Sequence, residues 1–174
     1  MTPKTIERPK CRGFGLIEVM FAIVVLVIGL VASLSMFGVA VGQNASQGEE
    51  ATRTTEYAQD KMEQLMALSF SDGTTNTTVY PPVSPGGTGL GGTVAASATT
   101  GGINPALPVT GYVDYLDSVG SLTTNTSQQY YVRQWSITAD ATATLKTITV
   151  YAAALKALTR GAAPSTTLVC KKTQ

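Results

Sequence analysis

Few residues in this chain could act as catalysts or metal ligands. The sequence contains no histidine, which removes the commonest general base and the commonest metal ligand. Its two cysteines, Cys11 and Cys170, lie at opposite ends of the chain, whereas a zinc site needs four ligands at short spacings. Asp114 and Asp117 are close in sequence, but on one strand they would point to opposite faces. The sequence therefore predicts no enzyme activity, no metal site and no cofactor.

Composition narrows the class of protein further. The chain has 174 residues, which is enough for one modest domain and an appendage. Only 13% of its residues are charged, about half the usual globular fraction of roughly 25%. The formal net charge is +1, so nothing in the charge balance favours nucleic acid as a partner.

Glu18 is an ionisable side chain at the start of a long apolar segment. Residues 19–48 carry no charge, and residues 19–41 are almost entirely apolar. As a helix at about 1.5 Å per residue, 19–41 spans roughly 34 Å, enough for a bilayer core of about 30 Å. A carboxylate carried to the bilayer centre costs about 2.5–3.5 kcal/mol, so Glu18 either stays at the boundary or needs a charged partner.

The flanking charges predict the orientation of this segment. Four basic residues precede the span, and two acidic residues follow it: Lys4, Arg8, Lys10 and Arg12, then Glu49 and Glu50. Basic residues favour the cytoplasmic side of a membrane, so we expect a cytoplasmic N-terminus. The chain after about residue 45 would then lie outside the cytoplasm.

The residues around Glu18 carry a resemblance to a known family. The segment RGFGLIE at residues 12–18, between a basic leader and a long apolar helix, resembles the prepilin-type cleavage and methylation motif. This motif occurs in type IV pilins and type II secretion pseudopilins. The resemblance implies cleavage between Gly13 and Phe14 by a membrane prepilin peptidase on the cytoplasmic face. It also implies N-methylation of Phe14 and removal of the leader, residues 1–13.

The residue types suit those roles. Gly13 has no side chain, so a peptidase can close on the backbone beside it. Cleavage would leave a free α-amine at Phe14, and Glu18 could pair with that amine on a neighbouring subunit. Either charge left alone in an apolar bundle is expensive, so this pair would penalise wrong axial registers. We interpret Glu18 as a residue for subunit assembly.

Two other interpretations of the segment remain open. A plain transmembrane anchor explains the apolar run but not the spacing between Gly13, Phe14 and Glu18. A secretory signal peptide could use residues 38–40 as its small-residue cleavage site. The apolar run is long for that purpose, because signal peptides have apolar regions of about 7–15 residues.

Beyond the apolar run, the helix is expected to continue with an amphipathic character. The family layout implies one helix from about residue 15 to 69, with residues 14–42 as the transmembrane and assembly half and 43–70 as the amphipathic half. The predicted buried stripe of this half comprises Ala51, Thr55, Ala58, Met62 and Leu65. The charged residues are predicted to lie off that stripe: Glu49, Glu50, Arg53, Glu56, Lys61 and Glu63.

Residues 71–174 are predicted to form the head. Residues 71–111 are rich in Gly, Thr, Ser and Pro and predict a long loop, with linker behaviour favoured over a binding site. Alternating patterns predict strands at about 112–116, 130–139 and 147–155, with a short further strand at 167–170. Trp135 and Ile137 are expected to cover the helix stripe together with Ile148 and Val150.

These elements predict an α+β protein with the type IV pilin fold, a long N-terminal helix packed on a small antiparallel β-sheet. A looser resemblance over residues 129–155 is to minor pilins of the type IV pilus modification family and to I-type minor pseudopilins. It implies a structural minor pilin that initiates or modifies pilus assembly. A minor pseudopilin of a type II secretion system, a major pilin, and a membrane-anchored or secreted binding protein are the alternatives. The implied partners are the prepilin peptidase and methyltransferase, other pilin subunits and, before assembly, the inner membrane.

Overall fold

The computed structural model describes residues 15–83, 85–156 and 163–174 of the chain. Gly13 and Phe14 therefore lie outside the described residues. Of the residues described, those up to Gly42 form one compact unit and those from Gln43 form another. One helix, α1 at Leu16–Ala67, contributes to both units. It begins and ends close to the predicted bounds of 15 and 69.

The second unit contains an antiparallel sheet. Its strands are β1 at Thr99–Gly101, β2 at Val113–Leu116, β3 at Tyr131–Ala139, β4 at Leu145–Ala154 and β5 at Ser165–Thr173. The order across the sheet is β1-β3-β4-β5, and β2 pairs with the first half of β3 while β1 pairs with its second half. A short 3-10 helix at Thr126–Gln128 lies between β2 and β3. This architecture confirms the predicted α+β class.

The long strands are rich in β-branched and aromatic residues, which suit a pleated and partly buried surface. The hairpin between β3 and β4 closes through Asp140, whose backbone N–H donates to the Leu145 carbonyl oxygen at 2.9 Å. An Asp140 carboxylate oxygen also accepts from the Leu145 N–H at 2.9 Å. Strand β5 extends beyond the predicted 167–170 because it pairs with β4 over nine residues, from Ser165 to Thr173.

The core lies between the second half of α1 and one face of the sheet. Ala58, Met62 and Leu65 of the helix contact a cluster from β3 and β4 that comprises Trp135, Ile137, Ile148, Val150 and Ala152. The predicted cover of the helix stripe is therefore confirmed. Leu90, between α1 and β1, and Tyr112, directly before β2, complete the cluster. The segment 71–111 thus contributes a fully buried leucine to the core of the head.

The buried stripe of the helix differs from the prediction at five positions, because Thr54 is buried in place of the half-buried Thr55, and three other positions also change. Ala51 is exposed, whereas Glu50 and Lys61 are buried, although both charged residues were predicted to lie off the stripe. Positions 50, 54, 58, 61 and 65 follow a spacing of three and four residues, which is the period of one helical face. The prediction placed the buried face largely by apolar residue type. In the structure, the sheet covers a neighbouring line of helix positions that includes Glu50 and Lys61.

Candidate functional site

The segment that the resemblance assigns to processing falls only partly within the described residues. The predicted cleavage pair, Gly13 and Phe14, lies outside them, and so does the methylation site at Phe14. Gly15 is the first described residue, and its carbonyl oxygen accepts from the N–H of Glu18 at 3.0 Å and of Val19 at 3.3 Å. Helix α1 therefore starts within two residues of the predicted cleavage position.

Glu18 lies in the first turn of α1 and is exposed. A carboxylate at a helix N-terminus interacts favourably with the helix dipole, so this residue type suits the position locally. Glu18 forms no ion pair with another residue in the part of the chain that the structure describes. Its carboxylate is therefore open to a partner outside those residues.

The first half of α1 is apolar and exposed along its length. Its most apolar window of 18 residues has a mean hydropathy of 2.8, and none of that window is buried. By length and composition, α1 could cross a membrane, and it is the one such helix among the described residues. An exposed apolar surface of this extent requires a lipid or protein environment rather than water.

The two serine hydroxyls in this half are satisfied within the helix. The Ser33 hydroxyl donates to the Gly29 carbonyl oxygen at 2.9 Å, and the Ser35 hydroxyl donates to the Ala32 carbonyl oxygen at 2.8 Å. In lipid, an unsatisfied hydroxyl would cost several kcal/mol, so bonds of this kind allow serine at membrane depth. The part of the segment that follows Glu18 is therefore compatible with an apolar environment on every side.

The second unit contains a buried charge cluster that joins the helix to the sheet. Asp114 on β2 accepts from Arg133 on β3 through both carboxylate oxygens, from Nε at 2.8 Å and from Nη2 at 2.9 Å. The Lys61 Nζ lies 2.7 Å from the second Asp114 oxygen. Arg133 also donates from Nη1 to Asp60 at 2.7 Å. Both Asp114 oxygens are thus engaged by cations, so this carboxylate is a structural anchor.

Lys61 is fully buried within this cluster. Besides Asp114, its Nζ donates to the Thr77 carbonyl oxygen and lies 4.3 Å from the centre of the Trp135 ring. Burial lowers the pKa of Lys61, and the nearby Asp114 carboxylate partly opposes that shift. The network ties helix α1 to β2 and to the segment that follows the helix.

Two further lysines hold backbone carbonyl groups around the end of the helix. The buried Lys146 donates from Nζ to the carbonyl oxygens of Phe70 at 2.5 Å, Leu90 at 2.8 Å and Gly92 at 2.7 Å. Lys172 on β5 donates to the carbonyl oxygens of Met66 and Leu68 at 2.6 and 2.5 Å. The last carbonyls of a helix lack partners within the helix, so Lys172 satisfies groups that the end of α1 leaves open.

Sequence reasoning missed this cluster, although one signal was present. Arg133 is two residues before Trp135 in the predicted strand and so shares its face, and an arginine on a core face requires a buried carboxylate. Asp114 was treated only as a poor catalytic partner for Asp117. The structure instead brings Asp114 together with Lys61 and Arg133, which are distant from it in sequence.

The described residues hold no group of three or more His, Cys, Asp or Glu side chains placed to bind a metal ion. Cys170 on β5 is a free thiol and is partly exposed. Neither observation identifies a catalytic group of side chains among the described residues.

Comparison with known proteins bears on the first unit. Residues 8–34 match the family model described as the prokaryotic N-terminal methylation motif. The match includes the predicted cleavage pair, Glu18 and most of the apolar half of α1. No curated protein and no solved structure matches the chain significantly.

Proposed function

We propose that this chain, a type IV pilin-like protein, is a minor pilin that initiates or modifies the assembly of a type IV pilus. The match to the methylation motif at residues 8–34 carries the proposal, because it supports a type IV pilin or pseudopilin subunit. Proteins with this motif are structural subunits, and we propose no catalytic role for this chain. The motif implies processing by a prepilin peptidase and assembly with other pilins.

In this proposal the peptidase cleaves between Gly13 and Phe14, and Phe14 is then N-methylated. Removal of residues 1–13 discards four basic side chains and Cys11. The apolar half of α1 fits membrane anchoring, because it is uncharged from residue 19 to residue 48 and exposed along its length. The charge asymmetry across the span supports a cytoplasmic N-terminus and a periplasmic head before assembly into a surface filament.

Glu18 has the role of setting the register between subunits. Its carboxylate is exposed and unpaired among the described residues, four positions beyond the proposed new N-terminus. Within a bundle of apolar helices, pairing with the α-amine of a neighbour is favourable, and any other axial position leaves one charge unpaired. Assembly then depends on one short-range electrostatic contact and on extensive apolar packing.

The C-terminal region favours a minor over a major subunit. Major pilins, which this chain resembles in its N-terminal motif, often close a disulfide loop near the C-terminus. Here Cys170 is a free thiol on the edge strand β5, and Cys11 lies in the proposed leader. The head is instead held by strand pairing and by the buried charge cluster. A minor pseudopilin would use the same N-terminal machinery, so gene context and filament composition must separate the two.

The decisive experiment is mass spectrometry of the N-terminal peptide, with the protein purified from membranes of cells with and without a prepilin peptidase. We expect a peptide that begins at methylated Phe14 in the first strain and an unprocessed leader in the second. A Gly13→Val variant should remain unprocessed in both, because the added side chain obstructs the backbone beside the cut. A start at Val41 in both strains would show ordinary signal processing and contradict the proposal.

Two further measurements address assembly. Glu18→Gln should still be cleaved, but its incorporation into sheared filaments should fall by at least about tenfold, since an unpaired charge in an apolar bundle is costly. Quantitative mass spectrometry of the same filaments distinguishes the subunit classes. A minor pilin contributes a small fraction of the filament mass, whereas a dominant fraction would identify a major pilin.

A further inference from the structure

The head has an open groove of about 930 Å³ beside β2, here called the edge groove. It lies between a loop wall formed by residues 76–80 and 86–88 and the 122–124 segment that follows β2. The lining residues that bear on its chemistry are Asn76, Thr78, Tyr80, Asp114, Tyr115 and Gln129. All of them belong to the second unit, and no role in cleavage or assembly involves them.

The loop wall of the edge groove is held in place from several directions. Backbone bonds join Asn76 and Val83 in both directions, and the Thr88 hydroxyl donates to the Gly111 carbonyl oxygen at 3.0 Å. The buried Lys61 also donates from its Nζ to the Thr77 carbonyl oxygen of this loop. At Gly87 the chain passes so close to itself that a Cβ would lie 2.2 Å from the Cα of Asn76. A wall fixed in this way loses little conformational entropy when a ligand binds.

The lining offers hydrogen bonds but no available charge. Asp114 is its one ionisable carboxylate among the described residues, and Lys61 and Arg133 already engage both of its oxygens. Asn76 uses its Oδ1 to accept from the N–H and hydroxyl of Thr78, which leaves its Nδ2 as a donor. Gln129 and the Tyr115 hydroxyl form no side-chain hydrogen bond with the described residues and so remain available to a ligand.

Tyr80 adds an aromatic surface to the groove. Its side chain is 69% exposed, although it lies on the pinned loop and contributes to the groove lining. An exposed tyrosine offers a flat apolar ring with a polar tip, which suits a ligand that has both an apolar face and hydroxyl groups. A pyranose ring is such a ligand, because its axial C–H groups form an apolar face and its hydroxyls lie around the rim.

We propose that the edge groove binds a neutral oligosaccharide, with Tyr80 against a sugar ring and Asn76, Tyr115 and Gln129 as hydrogen-bond partners. An anionic ligand such as a phosphate would find no available cation, because Lys61 and Arg133 are buried behind Asp114. An extended peptide would need a free strand edge. The outer edge of β2 is already partly closed, since Thr123 donates to Tyr115 and Leu122 bridges to Leu116.

The test is saturation-transfer NMR on the full chain in a zwitterionic detergent, because a detergent with a sugar head group would compete for the site. The probes are cellotriose, chitotriose and maltotriose, with a six-residue peptide of alternating threonine and valine as the alternative ligand. We expect transfer to at least one trisaccharide, with a dissociation constant on the order of 1 mM, and none to the peptide.

Variants then assign the binding to the edge groove. Tyr80→Ala should weaken binding about tenfold, and Tyr80→Phe should retain most of it, because the ring face supplies the contact. Leu107→Ala is the matched control, since its side chain is 71% exposed and does not line the groove. Gln129→Ala provides a second independent probe of the lining.

Three results would overturn the proposal. One is the absence of transfer to every trisaccharide at about 10 mM, a concentration that would reveal even weak sites. Another is equal binding by the parent chain and by both Tyr80→Ala and Gln129→Ala. The third is transfer to the peptide without transfer to any sugar, which would identify a strand-binding edge. Cleavage at Gly13 is measured separately, so failure here leaves the assembly role standing.

Discussion

The two halves of helix α1 reverse the usual relation between residue type and burial. Residues 16–42 contain the most apolar sequence in the chain, yet all of their described side chains are exposed. In residues 43–67, the sheet covers one face, and the covered residues include Glu50 and Lys61. A leucine such as Leu26 is therefore exposed, whereas Lys61, about ten turns further along the same helix, is completely buried.

The difference shows that burial depends on the available partner rather than on hydropathy alone. The first half has no partner within the described residues, so its apolar surface is available to lipid or to other subunits. In the second half, the apolar cluster around Trp135 accepts Ala58 and Leu65, and the Asp114–Arg133 pair accepts Lys61. A lysine can be buried there because its charge is paired and hydrogen-bonded.

Loss of the shared carboxylate should produce the largest effect on the head. Asp114→Ala would leave Lys61 and Arg133 buried without their anion, and we expect it to lower the free energy of unfolding by about 3–5 kcal/mol. Urea unfolding followed by the fluorescence of Trp135, the single tryptophan, measures this change.

The matched control is Asp60→Ala. Asp60 also contacts Arg133, but its side chain is about half exposed. Its removal should cost no more than about 1 kcal/mol, because exposed pairs contribute little and Arg133 keeps its two bonds to Asp114. Equal losses of unfolding free energy in the two variants would show that the buried contacts of Asp114 stabilise the head no more than an exposed ion pair does.

A pair of identical substitutions in the two halves of α1 gives the next largest contrast. Leu65→Ala should destabilise the head by about 2–5 kcal/mol, because it removes a fully buried side chain from the core. Leu26→Ala should leave the unfolding of the head unchanged, since Leu26 is 65% exposed and belongs to the first unit. The same urea titration in detergent compares them, and a similar loss for Leu26→Ala would contradict the separation of the two units.

The smallest expected effect is on the pH dependence of stability. Burial lowers the pKa of Lys61 from its ordinary value of 10.5, so between the lowered value and 10.5 the unfolded chain binds more protons than the folded one. The free energy of unfolding should therefore rise with pH through that window. Burial lowers the pKa of Lys146 as well, so Lys146 adds to the slope.

Lys61→Met tests the origin of this slope. We expect a shallower rise in the free energy of unfolding as the pH approaches 10.5 from below, with the remainder due to Lys146. Lys171→Met, at an exposed position on β5, should leave the slope unchanged. A fall in stability over that range for the parent chain, or an unchanged slope in Lys61→Met, would contradict the assigned cause.

Much of the fold could be predicted from local patterns. The three- and four-residue spacing of Ala58, Met62 and Leu65 predicted a covered helix face, and the alternation in residues 130–139 and 147–155 predicted two strands of the sheet. These signals are reliable because each periodicity belongs to one type of secondary structure. The role of Leu90 was missed because the Gly- and Pro-rich residues around it indicate a loop but not where that loop packs.

The N-terminal hypothesis depends on sequence more than on tertiary structure. The spacing of Gly13, Phe14 and Glu18 and the charge-free run that follows are properties of a single segment, and most of that segment lies within the match over residues 8–34. The cleavage and methylation positions themselves lie outside the described residues, so they stay predictions. Only chemical analysis of the processed N-terminus can test them.

The sequence by itself determined the long apolar segment, its flanking charges and the α+β class, because those depend on residue type and on local periodicity. Only the tertiary structure decided which carboxylate pairs with Arg133, which lysines are buried, and how the 71–111 segment forms the wall of a groove. Residues 61, 114 and 133 meet because of the pairing register between β2 and β3 and the way α1 packs on the sheet. A register shift of one residue would turn Arg133 to the other face, and no local pattern specifies such long-range geometry.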